Sequence, residues 1–263
     1  MAGVVLFLSP HLDDAILSCP AHLQRCEVRI ATVFTESGPD AAALYRARRA
    51  EDRKAASALG ASVTHMGFLD APFRSLRYGN FSGIVFRRAR EYSVTRGDVA
   101  RAIEGLVARF RPSRVVCPMA VGNHVDHRLV RDAALLAVRP EELLFYEDRP
   151  YAFLREQVHH VLGRSLARRS AAFWARYFAA AYVCHYRGRT PDAHIVKSWA
   201  SVPAFPCGYR LRQVSKATMT AEELVRAMAA LGAYRSQVAG LFEDEAEREL
   251  LYRTTPEIIY RLS

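Results

Sequence analysis

The run Pro10-His11-Leu12-Asp13-Asp14 packs one imidazole and two carboxylates into four residues, directly after the apolar stretch Gly3 to Leu8. Nitrogen and carboxylate donors at such close spacing suit a divalent metal ion. A matching set, Asn123-His124-Val125-Asp126-His127, follows a second apolar run at Val115, Val116 and Cys117. Catalytic zinc takes three protein ligands and leaves one position open for water. His11, Asp14 and His127 can supply that set, because a loop can turn residues three apart toward one ion. Asp13 then points elsewhere and stays free as a base. His124, as a cation beside the reacting amide oxygen, can stabilise a developing negative charge, and Asp126 can orient one of the imidazoles from behind. Each motif alone has an ordinary reading: two aspartates capping a helix, or a histidine pair on a surface or in a core. Their joint position after apolar runs favours the metal site.

The elements that must position these residues can be read from periodicity. Gly3 to Leu8, Val28 to Phe34, Val63 to Leu69, Arg114 to Cys117 and Leu143 to Tyr146 read as strands. Between them, Ala42 to Leu59 reads as a helix closed by Gly60, and Gly97 to Phe110 and His127 to Val138 as two more. A short helix after Ser18 and Pro20 runs to Arg25, with loop from Ser9 up to it. Asp70 to Tyr92 carries Pro72, Gly79, Asn80 and Gly83 without clear period and reads as an irregular insertion walling the site. This alternation predicts an α/β fold with a Rossmann-like, mostly parallel sheet and helices on both faces, whose ligands sit beyond the carboxyl ends of the strands. Residues 1–150 form the zinc-binding region. Residues 151–263, with helices expected over Glu156 to Tyr186 and Ala221 to Phe242, form a helical extension packed on it as part of one domain. Thr220 and Glu223 have the spacing of a capping box for the second of these helices.

The chain has 263 residues, and 51% are hydrophobic, enough for a substantial core and against disorder. The formal charge of +10 comes almost wholly from arginine, since Lys54, Lys197 and Lys216 are the only lysines. The arginines are scattered among acidic residues, so a solvated surface is the better reading than a nucleic-acid stripe, and no nucleic-acid partner is expected. The five cysteines include no C-x-x-C pair, which argues against a disulfide framework and against a thiolate zinc site. The apolar start is too short for a signal peptide, and Ala171 to Cys184 is too short to span a bilayer. A cytoplasmic protein without membrane insertion is expected.

Ser9-Pro10-His11-Leu12-Asp13-Asp14 through Cys19, Arg48-Arg49-Ala50-Glu51, Phe68 through Arg74, and Asn123 through His127 together resemble the PIG-L/LmbE-like zinc-dependent N-deacetylases. Tyr146 through Tyr151 and Tyr234-Arg235-Ser236-Gln237 are similar to that family as well, so the resemblance covers most of the chain. It implies zinc held by His11, Asp14 and His127, with Asp13 as general base and then acid, and His124 as oxyanion stabiliser. It places Arg48 and Asp70 at positions that touch substrate hydroxyls or an anionic group. Arg74 joins them as a candidate substrate contact, although Arg48 and Arg74 serve equally well as structural ion-pair partners. Leu12 and Ala15 depart from the proline and glutamate of many members, and Val121-Gly122 replaces a glycine-aromatic-glycine lead-in of some sugar deacetylases, which leaves the substrate open.

The expected function is zinc-dependent removal of an N-acetyl or related N-acyl group from a small molecule, an amino sugar or a sugar-containing intermediate of secondary metabolism. The chain is a possible homo-oligomer. Two rivals remain: a metal-dependent phosphoesterase, which would hold two metals, and a non-catalytic Rossmann-like binding protein. A dehydrogenase is disfavoured because no glycine-rich phosphate loop follows the first strand. His22, His65, His159, His160, His185 and His194 lack partners at ligand spacing. Phe173, Trp174, Tyr177 and Phe178 repeat at helical spacing and suit packing, and Trp199 and Tyr209 are weak candidates for a cleft wall.

Overall fold

The computed structural model describes residues 3–86, 91–153, 155–162, 205–206 and 209–263. The aromatic stretch Phe173 to Phe178, Trp199, and most of the helix expected over Glu156 to Tyr186 lie outside the described residues.

Seven strands form one sheet: β1 (Val5–Ser9), β2 (Val28–Glu36), β3 (Ser62–Leu69), β4 (Arg114–Pro118), β5 (Leu143–Tyr146), β6 (Leu211–Ala217) and β7 (Glu257–Leu262), in the spatial order β3-β2-β1-β4-β5-β7-β6. The first five run parallel, and β7 pairs antiparallel with both β5 and β6. β1 lies in the middle, with Val5 opposite Val28 on one side and Arg114 on the other. A strand covered on both faces needs apolar residues throughout. Leu6 and Leu8 accordingly enter one core with Val115 and Cys117, while Phe7 enters a second with Ile30 and Val116.

The helices that cover these faces are α1 (Asp14–Ser18), α2 (Pro20–Leu23), α3 (Ala42–Ala58), α4 (Ala71–Arg74), α5 (Phe81–Phe86), α6 (Glu91–Phe110), α7 (Val125–Ala137), α8 (Arg155–Val161), α9 (Ala221–Leu231) and α10 (Glu245–Thr254). Ile103 of α6 and Leu129 and Val130 of α7 fill the first core; Ala55 of α3, Leu231 of α9 and Tyr252 of α10 fill the second. α3 ends as its sequence predicts. Gly60 takes φ +74°, Gly60 N–H donates to Ser57 O at 3.1 Å and Ala61 N–H to Ala56 O at 3.0 Å, the paired bonds of a Schellman end. The capping box of α9 is also present, with Glu223 N–H donating to Thr220 Oγ1 at 3.2 Å and Thr220 N–H to Glu223 Oε2 at 2.8 Å.

The structure departs from the sequence expectations in several places, among them the short helices α4 and α5 inside the Asp70 to Tyr92 segment read as irregular. α1 begins inside the His11–Asp14 motif, where loop is expected; Ser9 Oγ accepts Ala15 N–H at 3.0 Å and Asp13 O accepts Leu17 N–H at 2.8 Å, so a helix too short to show periodicity forms by local bonding. α6 starts at Glu91, six residues before Gly97. α9 stops at Leu231, well before Phe242. The carboxyl-terminal region also contributes two strands besides its helices, because β5 leaves an edge that β7 covers. No helix among the described residues is long and apolar enough to cross a membrane.

Candidate metal centre and cavity

Between β1 and β4 the chain order of the sheet reverses, and a crevice opens beyond the carboxyl ends of strands at such a point. The loop after β1 carries His11, Asp13 and Asp14; the loop after β4 carries His124 and leads into α7 with Asp126 and His127. That second loop is unusual. Ala120, Gly122 and Asn123 all have positive φ, at 63°, 83° and 61°. A Cβ on Gly122 would lie 2.2 Å from Tyr151 Cδ1, so only glycine permits this close approach.

Three histidine rings converge here, with centroids 4.8 Å apart for His11 and His124, 5.3 Å for His11 and His127, and 5.2 Å for His124 and His127. Asp14 Oδ2 lies 3.1 Å from His11 Nδ1 and 3.3 Å from His127 Nε2. Ligands at roughly 2.0–2.1 Å around a tetrahedral ion stand about 3.3 Å from each other, so these atoms are spaced to share one ion. The ring nitrogens facing away are held by carboxylates. His127 Nδ1 meets Asp148 Oδ1 at 2.6 Å, and His11 Nε2 meets Asp126 Oδ2 at 3.0 Å. Backing of this kind fixes the tautomer of a metal-binding imidazole. The alternative trio His11, His124 and Asp126 is also close enough to share an ion, but Asp126 is already engaged by the Arg74 guanidinium and by Ala71 N–H at 3.1 Å. The donor set His11, Asp14 and His127 therefore fits a metal best.

The electrostatics follow from burial and proximity. Burial, reinforced by Asp14, pushes the Asp13 carboxyl up to about 7. For Asp14 burial opposes ionisation, but His127 and His11 outweigh it and hold its carboxyl well below the usual range. Two adjacent aspartates are thus driven apart. Asp13 is the N-cap of α1, yet its side chain makes no capping bond, which leaves the carboxyl available to the cavity. His124 accepts Asp126 N–H on Nδ1 at 3.2 Å, while burial and the neighbouring His11 and His127 depress its pKa well below the ordinary value. The Nδ1 contact leaves Nε2 as the ring atom that carries a proton toward the cavity.

A cavity of about 230 Å³ opens over this centre. It is lined by the donors and their neighbours His11, Asp13, Asp14, His124 and His127, by the polar Arg48, Asp70 and Gln237, and by apolar groups that include Leu17, Pro150, Tyr151 and Leu241. Asp70 accepts a bond from Tyr45 Oη and stands 3.6 Å from His11 Nε2. Asp126 and Arg74 are not among the lining residues. Asp126 is fully buried behind His11, and the Arg74 guanidinium pairs with it while stacking 4.5 Å from the Phe34 ring centre. Of the two readings of Arg74, the ion-pair one matches this location.

Asp148 and Gln237 have no assigned part in the sequence analysis, although both lie in segments quoted there. Asp148 had a usable signal: it follows the apolar run of β5 just as His11 follows that of β1, and the ends of neighbouring parallel strands converge. Gln237 had none, because its segment belongs to no strand end.

A family model described as PIG-L, GlcNAc-PI de-N-acetylase, matches residues 6–138. That is just over half of the chain, and the chain belongs to this family. The matched span contains every residue of the proposed donor set. Among curated relatives, the 2'-N-acetylparomamine deacetylase of Streptomyces fradiae is 33% identical over 177 residues, 59% of this chain and 60% of the relative. The chain thus spans about 60% of the length of the curated relative that it matches. Among solved structures, a triple mutant of a deacetylase of the teicoplanin biosynthetic pathway superposes with a TM-score of 0.64 at 23% identity, over 98% of this chain and 97% of that one. The A40926 pseudoaglycone deacetylase superposes with a TM-score of 0.59 at 23% identity, over 98% and 96%. At these identities the likeness is one of fold.

Proposed function

We propose that the chain is a zinc-dependent amide hydrolase that removes an N-acetyl or related N-acyl group from an amino sugar or a sugar-containing intermediate of secondary metabolism. The observation that carries this reading is the pairing of a two-histidine, one-carboxylate donor set with a second buried carboxyl, Asp13, whose side chain makes no capping bond and lines the cavity. Family membership and the paromamine-type relative support the reaction class and the sugar. The protein is read as cytoplasmic, with a small-molecule partner and no nucleic acid.

Zinc, when bound, polarises an acyl carbonyl and lowers the pKa of a coordinated water from about 15.7 to about 7. His11, Asp14 and His127 would hold it, and Asp126 and Asp148 keep the two rings turned toward it. Asp13 takes the proton of the attacking water; a carboxyl raised to about 7 suits a base at neutral pH. It then returns the proton to the departing nitrogen, since an amine anion is too poor a leaving group. His124 donates from Nε2 to the carbonyl oxygen as it becomes anionic. Arg48 and Asp70 offer the sugar polar contacts in the cavity, while Leu17, Tyr151 and Leu241 give it apolar lining.

Amine release from a panel of N-acetylated amino sugars, with and without a chelator, tests the proposal. Zinc-restored release from at least one of them, with near one zinc per chain, is expected. Two bound metals with phosphate release would favour the phosphoesterase, and no turnover of either kind the binding protein.

A further inference from the structure

Outside the metal donors, one segment reaches the cavity from the far end of the chain. Tyr234, Ser236 and Gln237, just beyond α9, clasp one face of α3. Tyr234 Oη donates to Asp52 Oδ1 at 2.8 Å, and Ser236 donates twice to Glu51, from its backbone at 3.1 Å and its hydroxyl at 2.6 Å. Gln237 donates from Nε2 to Leu12 O at 3.4 Å and accepts on Oε1 from the Arg48 guanidinium. The orientation of this amide is dictated by its partners, because a guanidinium only donates and a carbonyl only accepts.

Both partners matter to the site. Leu12 is the residue joining His11 to Asp13, and Arg48 lines the cavity with Asp13. Arg48 is held on its other side by the Tyr45 ring, 5.0 Å away, whose hydroxyl bonds Asp70. Asp70, Tyr45, Arg48, Gln237 and Leu12 thus form a continuous chain of contacts, of which Asp70, Arg48 and Gln237 line the cavity.

We infer that Gln237 is a positioning residue for this site: it acts through Arg48, whose guanidinium it holds beside Asp13, and through the Leu12 carbonyl. The inference rests on the proposed hydrolase reading for its effect on turnover, but not for the contact itself. A side chain that loses its support at this range drifts by an ångström or so, and such misplacement costs up to about 100-fold in rate.

The test compares wild type, Gln237→Met, which keeps volume and loses both bonds, Gln237→Ala, Arg48→Ala and the double variant Arg48→Ala/Gln237→Met, all as the full chain. Gln237→Met should keep the wild-type zinc content and lose roughly 10- to 100-fold in kcat/KM for amine release. Because Gln237 works largely through Arg48, the same change in the Arg48→Ala background should cost no more than about 3-fold; fully additive losses would overturn the inference. A second arm needs no turnover. In protein labelled with 15N-arginine, the Arg48 Nε–Hε signal should shift or broaden in Gln237→Met and in Gln237→Ala, and an unchanged signal in both would also overturn it. If wild type releases amine from no substrate, the hydrolase reading fails while the spectrum still decides the contact.

Discussion

Replacing Asp148 by asparagine changes almost no volume and removes one charge, so its effect isolates what the carboxylate does for His127. Asp148 is fully buried, and its two oxygens have separate duties: Oδ1 meets His127 Nδ1 at 2.6 Å, and Oδ2 accepts Val121 N–H at 2.9 Å. The buried Val121 N–H requires an acceptor, so the amide oxygen of an asparagine must stay there and its NH2 group must face His127. His127 Nδ1 then has to accept, which moves the ring proton to Nε2, the nitrogen 3.3 Å from Asp14 Oδ2. That nitrogen loses its free lone pair for the metal. Loss of such backing costs about 10- to 100-fold in metal affinity, or about 1.4–2.7 kcal/mol. At a zinc concentration 100 times the wild-type Kd, wild type gains about 2.7 kcal/mol from the metal, and the variant would keep only about 0.4–1.4 kcal/mol. Competition with a chelating dye measures the affinity, and melting with and without zinc measures the linked stabilisation. Wild-type zinc affinity in Asp148→Asn would refute the assignment of His127 Nε2 as a ligand, and with it the proposed centre.

Other expectations follow from the same geometry. Asp13→Ala should retain zinc and lose about 10²- to 10⁴-fold in turnover, whereas His11→Ala should lose both; wild-type turnover in Asp13→Ala would remove it as the base. Gly122→Ala places a methyl 2.2 Å from Tyr151 at a φ of +83°, so we expect at least about 1–2 kcal/mol of destabilisation from the left-handed backbone alone, read as a lower denaturant midpoint; an unchanged midpoint would mean the loop after β4 relaxes freely. The hydrogen bond from Arg25 holds the Glu223 carboxyl down at about 2, against an ordinary 4.5. A depressed carboxyl stabilises the fold above its ordinary value and loses that contribution as pH falls toward 2. The melting-temperature gap between wild type and Glu223→Gln should therefore be full at neutral pH and close between about 4.5 and 2; a gap independent of pH would sink the argument.

Much of this molecule is legible residue by residue. Five largely apolar runs separated by helical patterns point to a parallel sheet, since its central strands are covered on both faces and must be largely apolar, whereas the edge strand β3 is only partly buried, and the two histidine motifs sit just past such runs. Gly60 and the Thr220/Glu223 pair announce their helix ends because capping is a local hydrogen-bonding matter. What lay beyond reach has one physical cause: it depends on contacts between residues far apart in the chain, which no short-range period records. The bond between His11 and Asp126 joins residues 115 apart, and that between Gln237 and Leu12 residues 225 apart. Arg74 and Arg48 are the same residue type with the same prospects on paper. Only packing decides that the first is spent behind His11 on Asp126 while the second lines the cavity, and only the docking of the turn after α9 on α3, through Tyr234 to Asp52 and Ser236 to Glu51, brings Gln237 to the site.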